Sequence, residues 1–367
     1  MKKGVKISLI VILVVIVALA AAVYALYGSR IRTLASIEKI TAYADGYDLY
    51  RMNVEYDYSL DDVIGYGITD DQSFVQAIVK EALPLLPVNI KAPSFGCTAF
   101  TMADADGKIH MGRNYDFKND TSAMLVYCNP KNGYKSVGLA ALDNLSANAP
   151  TASAKQRLAS LAAPFVCLDG MNEKGVSIAV LTLDSEPTRQ SAGKPTIATT
   201  LAIRLVLDRA ATTEEAVELL RGYDMLATSG RDYHFYITDV SGDGRVIEYD
   251  CDDPARTLKD TKSEAVTNFF ILYRDQVQPN QKNGIYGHGR ERYDAVLSVF
   301  EAEETHTNDT AWSALRAAAQ EPNPEDITSN TQWSLNFNDT DLTVEIAIRR
   351  NWDDVITYNL NENQLKK

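Results

Sequence analysis

Cysteine and histidine are scarce, with four of each in 367 residues. Cys97, Cys128, Cys167 and Cys251 never form a CxxC pair, which excludes zinc-ribbon and thioredoxin-type motifs. The histidines form no HExxH and no other paired spacing, so no metal site is expected. Also missing are a GxSxG elbow, a GxxxxGK(S/T) loop and a GxGxxG turn after a strand. Their absence removes the usual serine-hydrolase, nucleotide and dinucleotide readings. GDGRVIEYD has the glycines but reads as a hairpin turn. Positive charge is short as well: 36 Lys and Arg face 49 Asp and Glu. Residues 1–33 hold five cations and no acid, so the net −13 of the chain becomes −18 over the remainder. Nucleic acid is therefore not an expected partner.

What the chain does have is an uncharged stretch, ISLIVILVVIVALAAAVYAL, from Ile7 to Leu26, behind Lys2, Lys3 and Lys6. About 20 helical residues at about 1.5 Å each span the roughly 30 Å hydrocarbon core of a bilayer. Residues 1–27 are expected to be a transmembrane anchor, with a cleaved signal peptide as the alternative. In either case the body is expected outside the cytoplasm, attached to the cell membrane or secreted.

Residues 28–96 read as a mostly helical lead-in, with helices around 32–44 and 71–86, closed by the turn-rich KAPSFG. Strand-like runs follow: TAFTMA, KIHMGRNYD, AMLVYC, KSVGLAAL, and the pair APFVCLDG and VSIAVLTL around MNEKG. Residues 196–222 suggest two helices. DYHFYITDV, GRVIEYD and AVTNFFIL return to strand, 291–303 and 308–320 to helix, and TQWSLNFND, LTVEIAI and VITYNL close the chain. Grouped strands and grouped helices indicate an α+β fold with antiparallel sheets, here one domain over 97–367.

Within GCTAFTMADADGKIHMGRNYD, residues 96–116, the DADG turn would fold Arg113 and Asp116 back toward Cys97. A cysteine nucleophile needs a base, and no histidine stands in a recognisable context for one. An N-terminal cysteine carries its own: the α-amino group, with pKa about 7.7–8.0, can take the thiol proton near neutral pH.

This stretch resembles the opening of the choloylglycine hydrolase family of N-terminal-nucleophile amidases, which includes bile salt hydrolases and penicillin V acylases. Acid ceramidase and the penicillin acyltransferases are related to it. Further similar segments are DGMNEKGVSIAVLTL (169–183), VTNFF (266–270), GRERYDAV (289–296) and TQWSLNFNDTDLTVEIAI (331–348). The resemblance implies a four-layer αββα sandwich and hydrolysis of a linear amide C–N bond through a thioester, with no cofactor. The nucleophile would be Cys97, and Arg113 would steady the thiolate and substrate. Asp116 would hold the α-amino group, and Asn268 would help to form the oxyanion hole. A second active-site arginine is placed at Arg292, with Arg290 in reserve. Thr182 stands where relatives have a substrate or oxyanion asparagine or a tyrosine. Freeing the amine of Cys97 requires a cut at Gly96–Cys97, and self-cleavage is expected. The partner is a small-molecule amide. Acyl transfer to another amine and an inactive surface-anchored binding module remain the alternatives.

Overall fold

The computed structural model describes residues 3–84, 96–282, 284–326 and 329–366. The chain opens with a long, proline-free helix, α1 (Lys3–Ala35). Strands β1 (Glu38–Lys39) and β2 (Leu49–Val54) follow, then helices α2 (Leu60–Gly65) and α3 (Asp71–Ala82). Ser59 and Asp70 start these two helices by accepting the backbone N–H three residues ahead.

The hairpin β3 (Gly96–Ala103) and β4 (Ile109–Asp116) opens the second part. It continues through β5 (Ala123–Cys128), β6 (Ser136–Ala141), α4 (Ala154–Ala159), β7 (Cys167–Asn172), β8 (Ser177–Leu183) and β9 (Thr196–Ala198). Helices α5 (Thr199–Arg209) and α6 (Thr213–Arg221) precede β10 (Asp224–Leu226), β11 (Asp232–Thr238) and β12 (Arg245–Tyr249). Next come β13 (Leu258–Lys262), β14 (Ala265–Val266), α7 (Arg290–Glu301) and α8 (Asn308–Ala317). The end is a run of strands: β15 (Thr331–Asn338), β16 (Thr343–Ile348), β17 (Ile356–Asn359) and β18 (Gln364–Lys366).

Two large sheets carry the molecule. One has nine strands in the order β1-β2-β5-β6-β7-β8-β11-β12-β13, and the other seven, β14-β3-β4-β15-β16-β17-β18. They meet through β3, which lies against β8 and β11. Helix α5 packs on β7 and β8, while α7 and α8 pack on β3, β14, β4 and β15. Strands buried on both faces need apolar residues throughout, and β8 reads SIAVLTL with every position buried. The expected α+β class with large antiparallel sheets is what is seen.

The lead-in differs from expectation. Helix α1 stops at Ala35, and the expected helix over 32–44 gives way to β1 and the approach to β2. All six residues of β2 pair in parallel with β5, which places the lead-in inside the nine-stranded sheet. From Tyr50 to Val54 buried positions alternate with part-buried ones, the period of a strand. The expected helix at 71–86 is α3, and its last two residues lie outside the described residues, as do residues 91–95 of KAPSFG. AVTNFFIL, expected as a strand, forms only the two-residue β14 before the chain turns irregular.

Among the described residues no single helix is long and apolar enough to cross a membrane. The bent pair Ile10–Ala18 and Val23–Ala35 meets the length and composition together. Ile10 to Val17 are exposed along one stretch of helix.

Candidate active site

The β3–β4 hairpin closes on its turn as the sequence indicates. The Asp104 carboxylate accepts the N–H groups of Asp106 and Lys108, and Gly107 takes a φ of +76°. The register sets Cys97 opposite Tyr115 and Gly96 opposite Asp116. Arg113, two residues before Tyr115, shares its face of the sheet and points toward the nine-stranded sheet. Its Nη2 donates to the Val180 carbonyl at 2.9 Å, and its Nε lies 3.4 Å from Asp169 Oδ2.

Cys97 is fully buried, and burial pushes its thiol up to about 12. The Arg113 charge opposes that rise, and the Asp116 carboxylate adds to it. Hydrogen bonds to the sulfur from the Arg113 guanidinium and the Asp116 backbone N–H also work against the rise. Burial acts to strip Arg113 of its proton, but the neighbouring Cys97, Asp169 and Asp116 hold its pKa above the ordinary arginine value.

On the other side of the Cys97 backbone, Asn268 and Arg292 converge. The Cys97 N–H donates to Asn268 Oδ1 at 3.1 Å, and Arg292 Nη2 donates to the same oxygen at 2.7 Å. Arg292 Nη1 reaches the Cys97 carbonyl at 2.9 Å and Thr98 Oγ1 at 3.0 Å. This guanidinium folds back over the start of α7, where Gly289 has a φ of +87°. A Cβ on Gly289 would stand 2.3 Å from Arg292 Nη2, so only glycine leaves the arginine its place. Arg290 points elsewhere, donating to Asp294 and to the Arg274 carbonyl.

The Asp116 carboxylate accepts Thr331 Oγ1 at 2.6 Å and Gln320 Nε2 at 2.8 Å, with Arg292 Nη1 3.7 Å away. Burial raises its pKa, opposed by Arg292 and these hydrogen bonds. In the uncut chain the Cys97 nitrogen thus bonds to Asn268 and not to the Asp116 carboxylate. Thr182 enters the site through its backbone. Its carbonyl accepts Asn268 Nδ2 at 2.9 Å, while its hydroxyl donates to the Asp232 carbonyl at 3.4 Å.

Cys97, Arg113, Asp116, Asn268 and Arg292 are thereby brought together, with Gly96 beside them and Thr182 at the rim. Asp169, Trp333, Gln320 and Thr331 were not singled out from the sequence. Asp169 receives Arg113, Trp333 Nε1 at 3.1 Å and the Leu139 N–H, and burial raises its pKa to about 6. Trp333 also stacks on Tyr115, with ring centroids 4.0 Å apart. Asp169, Thr331 and Trp333 lie inside family-like segments. The signal was present, but their partners are distant in sequence.

A cavity of about 810 Å³ adjoins this cluster, lined by Asp184, Arg231, His288, Glu291, Gln320 and Asn323 among others. Gln320 connects it to Asp116, and the His288 N–H donates to the Asn268 carbonyl at 2.9 Å. Among the described residues no group of three or more His, Cys, Asp or Glu side chains could hold a metal ion.

Comparison with known proteins gives this geometry a relation. Residues 97–255 match the linear amide C–N hydrolases, choloylglycine hydrolase family. This stretch is similar to the choloylglycine hydrolase family. The match begins at Cys97, the first residue of the candidate site. Among solved structures the chain is similar to penicillin V acylase from Agrobacterium tumefaciens, at 17% identity and a TM-score of 0.52. That alignment covers 72% of this chain and 87% of the acylase. It is also similar to a variant of conjugated bile acid hydrolase from Clostridium perfringens, at 16% identity and a TM-score of 0.54. There 74% of this chain and 96% of the hydrolase are covered. At such identities the likeness speaks for the fold. No curated protein sequence matches the chain.

Proposed function

We propose that this protein hydrolyses a linear amide C–N bond of a small molecule, with Cys97 as an N-terminal nucleophile freed by self-cleavage at Gly96–Cys97. The observation that carries the reading is the convergence on Cys97. Its sulfur receives Arg113, and its nitrogen is held by Asn268 under Arg292. The two stacked sheets with helices outside them fit the four-layer αββα sandwich of N-terminal nucleophile hydrolases.

In the uncut chain the Cys97 nitrogen is an amide without basicity, and the buried thiol stays protonated at neutral pH. The cut turns that nitrogen into an amine beside the thiol. The amine takes the thiol proton, and the sulfur attacks the substrate carbonyl. Charge develops on the carbonyl oxygen. Asn268 Nδ2 has two hydrogens; one goes to the Thr182 carbonyl, and the other serves the oxyanion together with a backbone N–H. The ammonium then protonates the leaving amine, and water attacks the thioester to release the acid and restore the thiol. Arg113, fixed by Asp169 and the Val180 carbonyl, balances the developing thiolate. Asp116, held by Thr331 and Gln320, faces Arg292 and offsets its charge.

The test has two parts. Intact mass of purified protein should show a fragment beginning Cys-Thr-Ala-Phe that is absent from Cys97→Ala. An amide panel of bile conjugates, penicillin V, N-acyl amino acids and acyl homoserine lactones should contain a substrate whose turnover Cys97→Ser abolishes. Full activity with an intact Gly96–Cys97 bond would refute the mechanism. We also propose that Ile7 to Leu26 anchors the protein in the cell membrane with the catalytic part outside the cytoplasm. The exposed aliphatic surface from Ile10 to Val17 supports this. Carbonate-washed membranes should retain the protein, and its appearance in the medium would refute the anchor.

A further inference from the structure

His234 on β11 and Glu248 on β12 are fully buried and take no part in the chemistry above. They stand directly opposite each other. Phe235 pairs with Ile247 in the antiparallel register, and one step outward on each strand brings His234 to Glu248. His234 Nδ1 lies 3.1 Å from Glu248 Oε1. Their remaining polar atoms all reach one short stretch of chain. His234 Nε2 is 2.9 Å from the Thr267 carbonyl. Glu248 Oε1 accepts the Ile271 N–H at 2.7 Å, and Oε2 accepts the Leu272 N–H at 3.0 Å.

That stretch leaves the seven-stranded sheet at β14 and contains Asn268 between the two points of attachment. A carbonyl only accepts, so His234 Nε2 carries a hydrogen toward Thr267. Each Glu248 oxygen takes one backbone N–H, a pattern that only a two-oxygen acceptor satisfies. After Val266 the segment keeps one isolated bridge, Phe269 to Gly287, and turns into a short 3-10 helix at Ile271, whose first N–H groups have no partner within the helix; left unpaired in the interior they would be costly. The two side chains fasten both flanks of Asn268 to the opposite sheet. Thr182, whose carbonyl receives Asn268 Nδ2, sits in that same sheet, paired with Tyr233 next to His234.

We propose that His234 and Glu248 form a positioning pair that holds Asn268 in register with Cys97. The proposal rests on the reading of Cys97 as nucleophile and Asn268 as oxyanion donor. Glu248→Gln keeps the shape but aims an NH₂ group at one of the two backbone N–H groups, so the stretch must shift. A displacement of about 1 Å at a reacting group can cost on the order of a hundredfold in rate.

The test is a double-mutant cycle in the full chain, read on two reactions. One is scission at Gly96–Cys97, followed by intact mass. The other is hydrolysis of the fluorogenic amide octanoyl-7-amino-4-methylcoumarin. Glu248→Gln should slow both by roughly ten- to a hundredfold, with KM for the fluorogenic amide within about twofold. Because Glu248 acts through Asn268, the Asn268→Ala Glu248→Gln double variant should be no slower than Asn268→Ala alone. His234→Gln, which keeps a donor for the Thr267 carbonyl, should recover most of the activity lost in His234→Phe; this comparison carries the test should Glu248→Gln fail to fold. Effects that multiply in the double variant overturn the positioning pair. So does an unaffected Glu248→Gln in a background where Asn268→Ala is slow. If Asn268→Ala changes neither reaction, or the wild type performs neither, the catalytic reading itself falls.

Discussion

If the chain is cut before Cys97, the upstream piece should stay bound, and β2 is the element that decides it. Leu49 and Met52 of β2 are fully buried, and all six residues of the strand pair with β5 across the proposed cut. Two tyrosines beyond the strand add polar ties: Tyr56 donates to the Leu161 carbonyl at 2.6 Å and Tyr58 to Asp208 Oδ1 at 2.9 Å. Met52→Ala removes a buried side chain from the middle of the strand, a change that costs about 2–5 kcal/mol. At about 1.4 kcal/mol per tenfold, the two pieces should then bind roughly 30- to 4,000-fold more weakly. A specific protease site placed within residues 85–95 makes the assay independent of self-cleavage. The cut protein, in detergent, is diluted from micromolar to nanomolar concentration, and gel filtration with intact mass follows both pieces. The wild-type pieces should co-elute throughout, and those of Met52→Ala should separate. Wild-type pieces that part at micromolar concentration without denaturant would refute the strand-based account. An unchanged Met52→Ala would refute it too.

If Asn268 donates to the oxyanion as proposed, Asn268→Ala should lower kcat by about a hundred- to a thousandfold, a loss of about 3–4 kcal/mol of barrier stabilisation; steady-state kinetics on any hydrolysed amide measures it. Cys128→Ser, Cys167→Ser and Cys251→Ser should keep the activity that Cys97→Ser loses, and alkylation with mass mapping should link inactivation to Cys97 alone. Gly289→Ala should force Arg292 off Asn268 Oδ1 and impose backbone strain of about 1–3 kcal/mol, so thermal melting and kcat should fall together. Asp169 gives a pH signature. Its folded pKa, raised from 3.8 to about 6, means the folded chain keeps a proton that the unfolded chain releases. The stability it contributes is present below pH 4 and is lost as pH rises through 6. Urea midpoints between pH 4 and 7 should show this decline, and Asp169→Asn should flatten it.

The hairpin around Cys97 was legible because its information is local. Alternating residues, a DADG turn and a two-residue side-chain period set Arg113 on the face of Tyr115, opposite Cys97. Arg292 could be preferred to Arg290 only through its segment's resemblance, and the structure brings Arg292 to Cys97. Asp169 shows where sequence reasoning stops. It lies in a quoted motif, but its partners Arg113 and Trp333 are 56 and 164 residues away, and no spacing rule reaches that far. Thr182 meets the same limit: the resemblance marks its position, but its contact with Asn268 runs through the backbone carbonyl, which no residue type announces. The lead-in strands were missed because LYRMNV is short and follows an apolar period that reads as helix. Its strand state depends on β5, about seventy residues later.

The seven-stranded sheet joins the hairpin that carries Cys97 to the last strands of the chain, and this sets an order of events during synthesis. Cys97 meets Asn268 across 171 residues and Arg292 across 195, and Asp116 meets Thr331 across 215. A ribosome adding about 5–20 residues per second needs on the order of ten to fifty seconds to travel from Cys97 to Thr331. Asn268 and Arg292 are added only 171 and 195 residues after Cys97, and Asp116 stays unsecured until Thr331 is made. The proposed scission of Gly96–Cys97 therefore waits for the final strands, and a chain truncated before β15 stays in one piece. Maturation of this protein would then report that its own translation had been completed.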